Sequence, residues 1–342
     1  MLKRGLAVTL ALLASLPALA QEIDPSPPPG GGISNSKAAA ATPTPALALG
    51  SISPSRVIVN AQFGSGGVGL RNRGAGAINV SGVTGPVKGA YLYWATITSG
   101  APTAASKSIG LRRLLPTAST ATTLTGTAIG SGAQPCWTGS AITVFKASVP
   151  ASIANGNGVY QVTLPAGASG LTNGADPWSG TLKLPLMEGA SLVIIGTGTA
   201  DVAVYDTGLA GKTFPGKPGL TYTLALPSPT SSKGTIFQNI GADGQIGSSL
   251  AAIGGLSEVT KINNVNVAGA AAPASAVGAD NDGDWNGTIA GPLPQLWDNT
   301  AHTLSLAAAP AGRTTLAVSI AQSVNASVYD CMTPVANFVA LF

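Results

Sequence analysis

The chain has 342 residues, of which 45% are hydrophobic, only 9% charged and 45 in number glycine. Charge this sparse, against roughly 25% in ordinary globular proteins, leaves few groups for phosphate contacts. The largest basic cluster is Arg112-Arg113, which disfavours a nucleic-acid binder. Val, Ile and Leu recur in strand-length runs, so burial can offset chain entropy and a wholly disordered chain is excluded.

Taken from the start, Lys3 and Arg4 precede an apolar stretch from Gly5 to Leu19, and Ala18-Leu19-Ala20 supplies a small-x-small cleavage site. Residues 1–20 are therefore expected to be a signal peptide cut before Gln21, placing the mature protein in the periplasm, on the cell surface or outside the cell. No later run approaches the ~20 uncharged apolar residues that a membrane helix needs. Residues 21–54, with Pro25-Ser26-Pro27-Pro28-Pro29 running into Gly30-Gly31-Gly32, read as a linker without a core-forming period.

From Arg56 onward, short apolar runs alternate with Gly, Pro and Asn punctuation. Strands are expected at 57–62, 78–83, 87–97, 142–147, 159–164, 191–196, 201–206, 221–226, 235–240, 262–267, 302–306, 314–320 and 335–342. Asn155-Gly156-Asn157-Gly158 marks a turn, and Gly196-Thr197-Gly198-Thr199 predicts a hairpin between its flanking strands. The fold class expected is all-β, an antiparallel β-sandwich or jelly roll over 55–342. Two packed sandwiches are the larger variant, with an internal division near 175–190.

Charge is segregated along the chain. Between Pro25 and Ala175 there are nine Lys or Arg and no Asp or Glu, whereas eleven acids and six bases follow from Asp176. Removing Lys3 and Arg4 from the formal +4 leaves +2 on the mature chain. The plain reading is compositional drift with every charge solvated; the sharper one is a pair of complementary surfaces, within the fold or between molecules. The two cysteines, Cys136 and Cys331, are expected to form one disulfide in an oxidising compartment.

Gly64-Ser65-Gly66-Gly67-Val68-Gly69 matches the dinucleotide fingerprint in form alone and reads as a flexible turn, since neither a helix nor an acid follows. His302 is the only histidine and sits in an alternating segment, as a strand residue does. Asp201 and Asp206 flank one strand at odd spacing and so face opposite ways. A hydrolase would have to draw on such scattered aspartates. Asp280, Asp282 and Asp284, at alternate positions with Gly283 between, could wrap a hard cation, making calcium the candidate cofactor against a solvated acidic turn. Tyr91 and Tyr93 share one face of their strand, Leu92 and Trp94 the other. Tyr91, Tyr93 and Trp285 are the candidate sugar-stacking residues, the alternative being core aromatics. The terminal Phe338–Phe342 alternation is shared with strands that close outer-membrane barrels.

In order, Val87-Lys88-Gly89-Ala90-Tyr91-Leu92-Tyr93-Trp94, Glu188-Gly189-Ala190-Ser191-Leu192-Val193, the VAVYDTG run of residues 202–208, Leu296-Trp297-Asp298 and Asp330-Cys331 resemble a family of bacterial exported and cell-surface β proteins. That family's members begin on an A-Y-L-Y-W strand and end on L-W-D and D-C motifs. The resemblance implies export and β architecture and carries over no catalytic residues. The function expected is a non-enzymatic structural or adhesion-type protein of the cell envelope or medium, with glycans, other envelope proteins or its own copies as partners. A calcium-stabilised glycan-binding module and an outer-membrane β-barrel are the alternatives.

Overall fold

The structure is a computed structural model in which residues 45–134, 140–174, 183–216, 218–242, 258–268, 297–322 and 331–342 are described. In chain order the first strands are β1 (Leu47–Ile52), β2 (Arg56–Gly69), β3 (Ala75–Val80), β4 (Val87–Thr98), β5 (Ser108–Leu115), β6 (Thr122–Thr125) and β7 (Thr127–Ala133). Then come β8 (Ala141–Ser148), β9 (Gly158–Thr163), β10 (Leu186–Thr197), β11 (Ala200–Tyr205), the two-residue β12 (Phe214–Pro215) and β13 (Leu220–Ala225). The last are β14 (Thr235–Ala242), β15 (Glu258–Ile262), β16 (Val265–Ala268), β17 (Trp297–Leu304), β18 (Thr315–Gln322) and β19 (Cys331–Leu341). No helix lies among the described residues, so none there is long and apolar enough to cross a membrane.

Among the described residues these strands form three sheets. The largest runs β17-β14-β19-β11-β2-β10-β4-β8-β7 with β12 paired to β19, a second runs β3-β9-β5-β6, and a third runs β1-β13-β18-β15-β16. All pairings are antiparallel except that of β1 with β13.

The large sheet turns about β2. Its C-terminal half, Ala61 to Gly69, pairs with β10, and its N-terminal half pairs with β11 on the opposite edge. Thr197 closes β10 opposite Ala61, and Ala200 opens β11 opposite the same residue. The chain therefore steps across β2 at Gly198, whose N–H donates to the Asn60 carbonyl at 2.9 Å. A Cβ on Gly198 would stand 2.6 Å from the Ala61 oxygen, so only glycine lets the crossing strand come so close. This overturns the hairpin expected at residues 196–199: β10 and β11 do not pair, because β2 lies between them.

Each half of the large sheet carries one smaller sheet, giving two sandwiches. Trp94, Phe145, Tyr160 and Leu192 fill the first, between the four-stranded sheet and the β10-β4-β8 face. Tyr205, Tyr222, Phe237 and Val339 fill the second, between the five-stranded sheet and the β11-β19-β14 face. The back faces of the two halves then pack on each other through Tyr91, Tyr93, Ile142, Val193, Val204 and Phe338. The Phe338 ring lies 5.7 Å from Phe63 and edge-on to Tyr93 at 5.9 Å. Strands in the inner layers are buried on both faces, which is why β4, β10 and β19 read as near-continuous apolar runs.

The all-β sandwich expectation holds, and several local expectations change. Gly64–Gly69 is the C-terminal part of β2, not a turn. Cβ atoms at Gly64 and Gly66 would fall 2.1 Å from the carbonyls of Ser81 and Asn79, so these glycines let β3 and the segment after it lie directly on β2. Residues 47–52 form β1, so the linker stops short of Pro54. The run 262–267 is a hairpin, β15-β16, turning at Asn263 and Asn264 with φ of 50° and 65°. The chain passes from the second sandwich to the first within β2 and returns at Gly198. Among the described residues no barrel closes: the large sheet ends at β17 and β7, and β19 is buried along its length, which does not fit the barrel reading.

Truncating Phe338 empties a ring site shared by both sandwiches. Phe338→Ala is expected to cost about 3–5 kcal/mol of unfolding free energy, measured by urea denaturation. A loss below about 1 kcal/mol would mean that the back-to-back packing is not a real core.

Candidate functional site

Asp206 follows β11, and the alternation that points Val202 and Val204 into the seam between the sandwiches points its carboxylate there too. It is 1% exposed. Three donors converge on it: Ser55 Oγ at 2.5 Å on Oδ1, Tyr93 Oη at 2.8 Å and Lys146 Nζ at 2.5 Å on Oδ2. Ser55 is fixed by its N–H, which donates to the Val204 carbonyl at 2.8 Å. Tyr93 and Lys146 stand opposite each other in the β4–β8 register, so one strand pair presents both. The Lys146 ammonium also lies 4.4 Å from the Tyr91 ring centre and 5.8 Å from that of Tyr93. Arg56 Nη1 donates to Tyr91 Oη at 2.8 Å.

Ser55, Arg56 and Asp206 belong to the second sandwich; Tyr91, Tyr93 and Lys146 belong to the first. The cluster thus ties the seam. Burial first, and then the Asp206 charge, hold the Tyr93 hydroxyl well above its ordinary pKa, so it stays a neutral donor. With Ser55, Tyr93 and Lys146 all directed at one carboxylate, the arrangement acts as an electrostatic strut.

Elsewhere on the seam, Trp297 lies against Gly189 and its Nε1 donates to Ser191 Oγ at 2.9 Å. Asn299 Nδ2 donates to Ser65 Oγ at 3.0 Å, and Ser65 Oγ donates to Gln238 Oε1 at 2.9 Å. Beside them Arg71 pairs with Glu188 at 2.6 Å, both side chains buried. Arg71–Glu188 and Lys146–Asp206 each join a base of the acid-free stretch to an acid of the later one. The drift reading is corrected accordingly: these charges are not all solvated, and the segregation supplies partners within the fold.

Tyr91 and Tyr93 are 4% and 0% exposed. They offer no ring to a sugar, since their hydroxyls and faces are engaged by Arg56, Asp206 and Lys146. Asp201 and Asp206 face opposite sides of β11, and Asp201 Oδ1 accepts the Asn60 N–H at 3.3 Å. His302 is half-buried in β17 opposite Phe237. Cys331 opens β19 and is buried, and the described residues contain no free cysteine. Cys136, Asp280, Asp282, Asp284 and Trp285 lie outside the described residues.

The two outermost sheet faces were not legible as a site. On the four-stranded sheet, Thr123, Gly110, Thr163 and Ala75 form one cross-strand row, and Arg112, Gln161 and Ala77 the next. On the five-stranded sheet, Ala48, Thr221, Ser319 and Lys261 form a row, with Ser51, Thr223 and Ala317 beside it. Small and hydroxyl-bearing side chains predominate on both. The signal available in the sequence was Thr221 and Thr223 at alternate positions of 221–226, and Gln161 and Thr163 at alternate positions of 159–164.

Asp206→Asn is expected to lower unfolding free energy by about 2–3 kcal/mol, somewhat below a fully buried pair because Lys146 is 20% exposed. Equal stability of the variant in urea would contradict the strut. In the folded state Tyr93 keeps its proton beyond the ordinary 10.0, whereas the unfolded chain loses it there. Stability should therefore hold below that pH and fall above it, with a shallower alkaline fall in Tyr93→Phe, read from Tm against pH.

No protein-family model matches the chain, and no curated protein does. Among solved structures the chain is similar to the ANXUR2 extracellular domain from Arabidopsis thaliana, at 8% identity over 82% of each chain with a TM-score of 0.24. A superposition at that level assigns no activity.

Proposed function

We propose that this chain is an exported, non-enzymatic structural or adhesion-type protein of the bacterial cell envelope or its surroundings. The observation that carries this reading is the pair of broad outer faces, one at each end of the four-layer stack, surfaced by Ala, Gly, Ser and Thr with few charges. Long side chains such as Lys and Glu lose about 0.5–1.5 kcal/mol of rotamer freedom each on docking, whereas these short ones lose little. A flat, short-chained, hydroxylated surface therefore suits repeated contact with a polymer or a neighbouring molecule.

The export expectation at residues 1–20 fits this reading, as does the resemblance carried by the tyrosine strand and the terminal motifs. A Cys136–Cys331 bridge belongs to the same proposal. Cys136 lies three residues beyond the end of β7 in the first sandwich and Cys331 opens β19 in the second. Gly130 and Gly132 of β7 pack on Ala210 and Gly211, and the Gly211 N–H donates to the Pro334 carbonyl at 3.0 Å. The bridge would add a covalent tie across the seam and contribute up to ~5 kcal/mol by the loop-entropy model.

Fractionation tests the proposal. The mature chain is expected in periplasm, outer surface or medium, beginning at Gln21, with no thiol titrating in denaturant until a reductant is added. A full-length cytoplasmic product with two titratable thiols would overturn it.

A further inference from the structure

The outer face of the four-stranded sheet is not uniformly flat. Gly110, Arg112, Thr123, Gln161, Thr163 and Pro165 line an open, shallow trough. Gly110 supplies its depth, since a side chain there would stand up between the two threonines that flank it in register. The Arg112 side chain is exposed, and its Nε donates to Gln161 Oε1 at 2.7 Å, which orients the guanidinium fork while occupying one of its five N–H donors. The sheet that carries the trough is built entirely from the stretch 25–175, which contains no carboxylate. Lys146 and Arg71 of that stretch are neutralised by Asp206 and Glu188 in the interior. Arg112 has no carboxylate partner among the described residues.

We infer that this trough binds a carboxylate-bearing sugar strand, with Arg112 taking the carboxylate. A guanidinium held by one nitrogen presents its remaining edge for a bidentate contact. Thr123, Thr163 and the Gln161 amide supply donors and acceptors for ring hydroxyls, and Pro165 supplies an apolar contact for a sugar C–H face. The inference deepens the adhesive reading and rests on it.

Calorimetric titration of the mature chain with alginate oligosaccharides, neutral dextran oligosaccharides and polyglutamate of similar length tests it. Alginate is expected to bind, with dextran and polyglutamate at least roughly tenfold weaker, and Arg112→Ala should weaken alginate roughly tenfold. Arg112→Lys should recover only part of the loss, because an ammonium lacks the fork. Arg112 points outward, so unchanged circular dichroism of the variants confirms folding. Absent alginate binding, equal affinity in Arg112→Ala, or dextran or polyglutamate binding as tightly would each overturn it. A failed titration leaves the fractionation result untouched, so the two readings fail separately.

Discussion

Strand β2 pairs with β10 along one half and with β11 along the other, on opposite edges, and the chain connecting those partners must pass over it. With two sheet segments leaving one strand on opposite sides, their rear faces meet. Everything else in the molecule accommodates that contact. The inner strands must be apolar on both faces, the outer sheets must each cover only one face, and the crossing point must carry glycine. Fourteen residues of β2 are enough to serve both segments, and Asn60, with its φ of 50°, places the bend at the crossing.

The buried charges belong to the same constraint. An apolar seam alone would define contact without fixing how the two sandwiches are set against each other. Asp206, reached by Ser55 from its own side and by Tyr93 and Lys146 from the other, is satisfied in one setting only. Trp297, seated on Gly189 and bonded to Ser191, does the same elsewhere on the seam. Directional bonds of this kind add specificity where close packing adds most of the energy.

Alternation made the half-buried strands readable, as at Val159–Leu164 and Thr221–Leu226. It also separated Tyr91 and Tyr93 from Leu92 and Trp94 correctly. What escaped has identifiable causes. In β1 the Leu-Ala-Leu-Gly-Ser-Ile run is buried only at Ile52 and partly at Leu49, so it resembles the Ala-rich stretch before it. In β6 and β7 the exposed positions are Thr, Ser and Ala, which carry no period. In β5 the Arg112-Arg113 pair looks like a basic cluster, yet Arg113 turns inward to the Leu115 carbonyl and the Tyr160 ring. Contacts between Lys146 and Asp206, 60 residues apart, leave no local trace, and only the separation of acids from bases along the chain hinted at them.

The proposed adhesive reading rests on how little of the outer surface is charged, while the Arg71–Glu188 and Lys146–Asp206 pairs take their charges into the seam. A protein built this way presents two hydroxylated outer faces, and the bonded seam predicts that its two halves open as one unit. Native-state hydrogen exchange measures that unity most directly. Amides of β4 in the first sandwich and β19 in the second should exchange only through the same global opening, with matching free energies and matching denaturant dependence. Release of either set through a separate, cheaper opening would show two independent sandwiches and contradict the account.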